Sequence, residues 1–214
     1  MTVQQSKASI RAALAENTRA NIIDVATREF SDKGFAGARI DEIAEKTNSS
    51  KRMIYYYFGG KEGLYQAVLE QAYGGIRERE EARNFDAMAA EDALREMVVH
   101  TFDYHMGHPD FVRLVMNENI LHGAHIAGVE GIKNRNRSVV TAMKRMLDRG
   151  VEEGVFREGI DPLDLHMTIS ALCFYNVSNR YTLRAIFGID TSVAKTRSKR
   201  REQVVETILA YVKR

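Results

Sequence analysis

The sequence predicts an all-α protein. Apolar residues recur at i, i+3, i+4 and i+7 along most of the 214-residue chain, the spacing of one helical face. The only two prolines, Pro109 and Pro162, each stand just before such a period, where proline suits a first helical turn. With 44% apolar residues there is ample material for a core.

The stretch from Met1 to about Glu16 is polar, with scattered basic residues and weak apolar spacing, and reads as a mobile arm. Asn17 or Thr18 then caps a helix carrying Ile22, Ile23, Ala26 and Phe30 on one side, which Lys33-Gly34 closes. Ala38 to Phe58, ARIDEIAEKTNSSKRMIYYYF, holds two short helices. In the first, Ile40, Ile43, Ala44 and Thr47 form the buried stripe, so Asp41, Glu42 and Glu45 face water. The break falls at Thr47-Asn48-Ser49-Ser50, where Asn48 tolerates a left-handed backbone and Ser49 or Ser50 caps the next helix. On that helix Lys51, Arg52, Tyr55 and Tyr56 share one side, and Met53, Ile54 and Tyr57 the other.

Beyond Gly59-Gly60, Leu64, Tyr65, Val68, Leu69, Ala72 and Ile76 mark a helix from Lys61 to about Glu80, ending in the charged run IREREEAR. Residues 81–90 read as a connection. Leu94, Met97, Val98, Thr101 and Phe102 mark a helix that ends near Gly107-His108, and Pro109 opens a short one expected to run on through ENILHGAHIAG. A long helix spans about Val129 to Gly154. Asp161-Pro162-Leu163-Asp164 supplies a cap, a first-turn proline and an acidic first turn for a helix expected to reach Phe187. The last helix spans Val193 to Lys213.

Two cations and two phenols facing outward suit nucleic acid. Arg and Lys bond guanine edges or phosphates, while tyrosine hydroxyls bond phosphate. Lys61 starts the following helix, whose backbone N–H groups and dipole favour a phosphate. A formal charge of +2 does not by itself announce such a partner, so the positive charge must be local. The basic clusters are Lys51-Arg52 with Lys61, the arm residues Lys7, Arg11 and Arg19, and a late run at Lys195, Arg197, Lys199, Arg200 and Arg201 that reads as a solvated face.

From about Asn17 to Leu69 the chain resembles the DNA-binding end of the TetR family of bacterial transcriptional regulators. The resemblance rests on the apolar helix with Phe30 and Gly34-Phe35, then Ile43-Ala44, Ser50, Ile54-Tyr55, Phe58, and Lys61-Glu62 followed by Leu64. It implies that Ser50, Lys51, Arg52 and Met53 sit at or near base edges and that Tyr55, Tyr56 and Lys61 hold the phosphate backbone. Arg39 stands where the family usually has a capping Thr or Ser, and is expected to grip a phosphate instead. Asn48 replaces the usual Gly of the turn, a mild change because Asn accepts the same backbone angle. Arg52 and Met53 replace residues that are often small, so the operator sequence cannot be borrowed from another member.

The resemblance further implies an arm (1–16), an N-terminal three-helix helix-turn-helix domain (17–60) and a C-terminal helical ligand-binding and dimerisation domain (61–214). The function implied is a homodimeric, ligand-responsive repressor, released from a palindromic double-stranded DNA operator by a small-molecule effector. The last two long helices would form a four-helix interface with a second copy. Candidate effector contacts are the polar residues set among apolar helical positions: His105, Asn119, His122, Tyr175, Asn176 and Asn179.

A helical small-molecule-binding protein, or an enzyme with a His-containing pocket, is the alternative. No Gly-rich phosphate loop, serine elbow or ordered metal signature supports an enzyme. His122 and His125, with His105 or His108, could approach a metal on a helix face, yet no cysteine or carboxylate set completes the site. No metal and no cofactor is expected. The lone Cys173, within ISALCFYNV, reads as a small buried hydrophobe in a reducing compartment. With no apolar run of bilayer length, no membrane is expected and a cytoplasmic location is.

Overall fold

A computed structural model describes residues 3–214, apart from the side chains of residues 3–8 and 11. Lys7 and Arg11, named above among the basic residues of the arm, lie outside the described side chains. The first helices are α1 (Val3–Gly37), α2 (Ile40–Lys46), α3 (Lys51–Phe58) and α4 (Lys61–Glu81). A 3-10 turn at Phe85–Ala87 precedes α5 (Ala90–Gly107), α6 (Pro109–Ile120) and α7 (Glu130–Glu152). The chain continues through α8 (Pro162–Ser178), α9 (Arg180–Phe187) and α10 (Ala194–Val212). Among the described residues the only β-type pairing is an isolated bridge between Phe156 and Lys213. No helix among them is long and apolar enough to cross a membrane.

The chain forms two compact units. The first comprises Met1–Gln71 and Arg113–Val129, the second Ala72–Val112 and Glu130–Arg214. This division differs from the expected boundary at residue 60, because the chain after Val112 returns to the first unit.

In the first unit, Ile22, Ile23, Ala26 and Phe30 of α1 are buried with Ile43, Ala44, Ile54, Leu64, Tyr65 and Leu69. The expected arm is instead the start of α1, which begins at Val3. Gly34 breaks that helix at φ 68°, ψ 174°, a backbone that a side chain would strain, so the chain turns there towards α2. Phe30 packs edge-on against Tyr65 with centroids 4.8 Å apart.

Helix α6 ends at Ile120 rather than running through ENILHGAHIAG, and residues 121–128 form successive turns with His122 at φ 56°. The buried carboxylate of Glu118 accepts N–H bonds from His125 (3.2 Å) and Ile126 (3.1 Å), and its other oxygen pairs with His125 Nδ1 at 2.9 Å. A side chain thereby satisfies backbone groups that helix continuation would have satisfied. The His125 ring lies 4.2 Å from Phe35 and 5.0 Å from Tyr65, and Asn117 Nδ2 donates to the Phe30 carbonyl at 3.1 Å.

The second unit has its own core, in which Leu94, Val98 and Phe102 of α5 meet Met143 and Met146 of α7, Ile169 and Cys173 of α8, and Val205 and Ile208 of α10. Asp161 caps α8 as expected, accepting from Leu163 N (2.8 Å) and Asp164 N (2.9 Å). The helix stops at Ser178, not Phe187: Asn179 leaves helical geometry at φ −104°, ψ 10°, and the chain restarts as the short α9. Helix α9 has no buried residue, and Tyr181, Ile186 and Phe187 lie exposed along it.

Candidate nucleic-acid interface

The first unit presents a short helix with one side locked and the other free. Asn48 takes φ 50° at the break after α2. Ser50 has an extended backbone and its hydroxyl accepts from Met53 N at 3.3 Å, so of the two candidate serines it is Ser50 that caps α3. Ile54 is fully buried, Met53 and Tyr57 are half-buried, and Lys51, Arg52, Tyr55 and Tyr56 are exposed, Tyr56 by 78%. An exposed aromatic pair beside two cations forgoes burial, which contributes roughly 25 cal/mol per Å² of apolar area removed from water.

Two features fix α3 in the first unit. Thr47, buried beneath the turn, donates its hydroxyl to the Ile43 carbonyl at 2.9 Å. Behind α3, a Cβ placed on Gly63 would lie 1.9 Å from the Phe58 carbonyl oxygen, so only glycine lets α4 start this close to the end of α3. The Arg19 guanidinium covers the Phe58 ring at 5.5 Å. Glu29 of α1 meanwhile accepts from Lys33 at 2.8 Å and from Lys46 of α2, and these two ammonium groups hold its carboxyl below the usual carboxylate range.

The cations at this surface are partly engaged within the chain. Lys51 Nζ lies 2.7 Å from Asp41 Oδ1, and the Lys51 ammonium lowers the pKa of Asp41. Arg39 precedes α2 with an extended backbone and no side-chain cap, and its guanidinium lies 3.8 Å from Asp41. Lys61 donates to the Ala36 carbonyl at 3.3 Å and sits 4.9 Å over the Phe35 ring. Arg52 is exposed on the same face of α3.

These residues of the first unit are parts of one recognised pattern. Residues 22–68 match the bacterial regulatory proteins of the tetR family, and residues 91–208 match the C-terminal domain of tetracyclin repressor-like proteins. The chain belongs to the TetR family. It is 36% identical to the HTH-type transcriptional repressor NicS of Pseudomonas putida over 188 residues, 88% of this chain and 89% of that one. It is 30% identical to the HTH-type transcriptional repressor SCO4008 of Streptomyces coelicolor over 81% of this chain and 85% of that one. The fold is shared with the transcriptional regulator SCO4942 of Streptomyces coelicolor, at TM-score 0.69 and 24% identity over 91% of this chain and 98% of that one. A tetR-family regulatory protein from Rhodococcus RHA1 superposes at TM-score 0.71 and 22% identity, covering 92% of this chain and 97% of that one. As a TetR-family member the chain is a DNA-binding transcriptional regulator and not an enzyme.

The six candidate effector residues are divided between the two units. Asn119 and His122 are exposed in the first unit, and Asn119 Nδ2 is bonded to the Val115 carbonyl at 2.9 Å. Tyr175 and Asn179 lie on the second unit, half exposed and at the end of α8 respectively. Asn176 is buried, and its amide donates to Leu172 O at 2.7 Å and accepts from Arg200 Nε at 3.1 Å. His105 is buried against Phe111 (5.7 Å) and Phe174 (5.9 Å), and burial lowers its pKa to about 4. His125, considered above with His122 for a metal, has its Nδ1 on Glu118 at 2.9 Å.

Sequence reading missed Arg77 and Glu80, which pair with each other inside the second unit although they belong to the charged run IREREEAR. Their signal was register. Tyr73, Ile76, Arg77 and Glu80 continue the inward side of α4, so the run is not uniformly solvated. A cavity of about 390 Å³, lined in part by Glu80, Phe85, Met97, Val139 and Arg145, opens in this unit.

Proposed function

We propose that the chain acts as a homodimeric repressor in the bacterial cytoplasm, released from a palindromic operator by a small-molecule effector. The observation that carries this is the exposed Lys51, Arg52, Tyr55 and Tyr56 on a helix whose opposite side is anchored by Ile54 and capped by Ser50. NicS and SCO4008 are both transcriptional repressors, which supports repression as the direction of control.

In this reading α3 enters the major groove. Arg52 and Lys51 bond base edges, Ser50 and Met53 lie close by, and the Tyr55 and Tyr56 hydroxyls donate to phosphate oxygens. Lys61 leaves the Ala36 carbonyl for a phosphate at the N-terminus of α4, where the helix dipole adds to its charge. Arg39 takes a further phosphate. Residues 17–60 thus serve as the reading domain, and 61–214 hold the effector and the second copy.

Dimerisation is supported by α8. Leu163, Met167 and Tyr175 are 49%, 59% and 50% exposed, and with Ala171 they make an apolar row at four-residue spacing that the single chain leaves uncovered. A second copy would cover it and set two readers about 34–36 Å apart, one helical turn of DNA. Footprinting on the DNA upstream of the genes beside its own tests the reading. Protection of a two-fold symmetric site is the expected result, and equal affinity for that DNA and for random DNA would refute it.

A further inference from the structure

We propose that the cavity of the second unit takes a small amphipathic amine, its ammonium bonded to Glu80 and its apolar body lying on Phe85, Met97, Val139 and Ala142. This deepens the effector reading above and rests on it. The cavity is about 390 Å³, within the rough 300–1,000 Å³ range of small-molecule sites.

The ligand class follows from which polar groups already have partners. Asp86 is bonded by Arg145 at 3.0 Å and by Arg149 at 3.0 Å, and these hold its carboxyl below the ordinary range. Arg145, among the described residues the one cation lining the cavity, is therefore committed to a carboxylate and is poorly placed to recognise an anion. Glu80 differs. It is 6% exposed, its Oε2 is bonded by Arg77, and its Oε1 has no hydrogen-bond partner. Burial raises its pKa, with the neighbouring Glu81 contributing in the same direction.

A half-satisfied buried carboxylate is unfavourable, and a charge-assisted N–H bond is the strongest remedy a ligand can bring. An ammonium supplies the donor that Oε1 lacks and adds a second positive charge to the one Arg77 places on Oε2, whereas a carboxylate would set two acceptors against each other. Glu80 and the apolar side chains line the same cavity, so a ligand that engages both must be charged at one end and apolar at the other.

Calorimetric titration of the full-length protein with 4-phenylbutylamine, 4-phenylbutan-1-ol and 4-phenylbutyrate tests this, because the three share one apolar body. The amine is expected to bind about tenfold more tightly than the alcohol, and the acid least of all. Glu80→Gln should remove the amine's advantage and leave the alcohol's affinity unchanged. Ala142→Phe, which fills the cavity without touching a charge, should weaken amine and alcohol alike, and a preserved helical spectrum shows that either variant has folded. The proposal is overturned if the acid binds as well as the amine, if none of the three binds, or if amine affinity survives both substitutions. Adding the probes to the operator complex separates the two readings. Amine binding that requires Glu80 but leaves the operator bound supports the site and removes its role in control. Release by the acid alone keeps effector control and overturns the amine.

Discussion

The ammonium of Lys51 lies 2.7 Å from the carboxylate of Asp41, joining α3 to α2 on the exposed face of the reader. In the DNA-free protein Asp41 occupies a cation that the reading above assigns to the operator. It is also a negative charge close to where phosphates would lie. Asp41→Asn is therefore expected to tighten operator binding roughly two- to fivefold at low salt, the scale of an exposed ion pair, with the gain fading as salt screens it. Titrations at two salt concentrations check this. Weaker binding by the variant would mean that Asp41 orients Lys51 for DNA instead of competing for it.

Glu118 fastens the turns after α6 within the first unit. Glu118→Ala leaves the N–H groups of His125 and Ile126 without the acceptor they have at 3.2 and 3.1 Å, and frees the imidazole packed on Phe35 and Tyr65. A loss of about 1–3 kcal/mol is expected in urea unfolding. Limited proteolysis should cut first within residues 121–128. An unchanged midpoint with no new cleavage would show that those turns are held by other contacts.

Burial keeps three histidines of the second unit, His100, His105 and His166, neutral. His100, His105 and His166 each have a pKa lowered to about 4, with desolvation the leading cause and Arg77 adding to it at His105 and His166. At His100 the charges of Arg83 and Arg79 lower it while Glu96 opposes them, and at His105 the neighbouring His100, His166 and His108 add further repulsion. The unfolded chain takes up these protons near pH 6.5, whereas the folded chain waits until about pH 4. The unfolded state thus binds more protons in that window, so stability is complete above about pH 6.5 and falls as pH drops towards 4. His105→Phe, which keeps a ring against Phe111 and Phe174, should flatten the decline in urea midpoint between pH 7 and pH 5. An identical pH profile in the variant would show that His105 does not titrate on unfolding.

Local chemistry made the reader legible from sequence. Apolar spacing at Ile43, Ala44 and Ile54 marked what is buried, Asn48 marked the turn, and Ser50 was one of two caps named, so the outward set Lys51, Arg52, Tyr55 and Tyr56 followed from helical geometry. What escaped depends on long-range contacts. Nothing near ENILHGAHIAG says that Glu118 will accept two backbone N–H groups further along and end helical geometry there. The break at Asn179 likewise lacks a proline or glycine to announce it. Polar residues inside apolar runs singled out His105 and Asn176 as effector candidates, yet spacing alone could not show that both are buried or that Asn176 is bonded by Arg200, from a helix 24 residues on. Charge gave no sign of the pairing at Arg77 and Glu80, because a paired, buried Arg–Glu looks in sequence like any solvated helix end.

The central claim, that the exposed face of α3 and the start of α4 bind the operator, is tested most directly by salt-controlled titration on upstream DNA. Wild type would be compared with Lys61→Ala and with Tyr55→Ala/Lys61→Ala. Each phosphate contact contributes about one unit to the slope of log affinity against log salt. The account predicts site-selective binding by the wild type, a slope lowered by about one in Lys61→Ala, and loss of tight binding in the double variant. Equal affinity and equal slope for all three proteins, on this DNA and on random DNA alike, would contradict it.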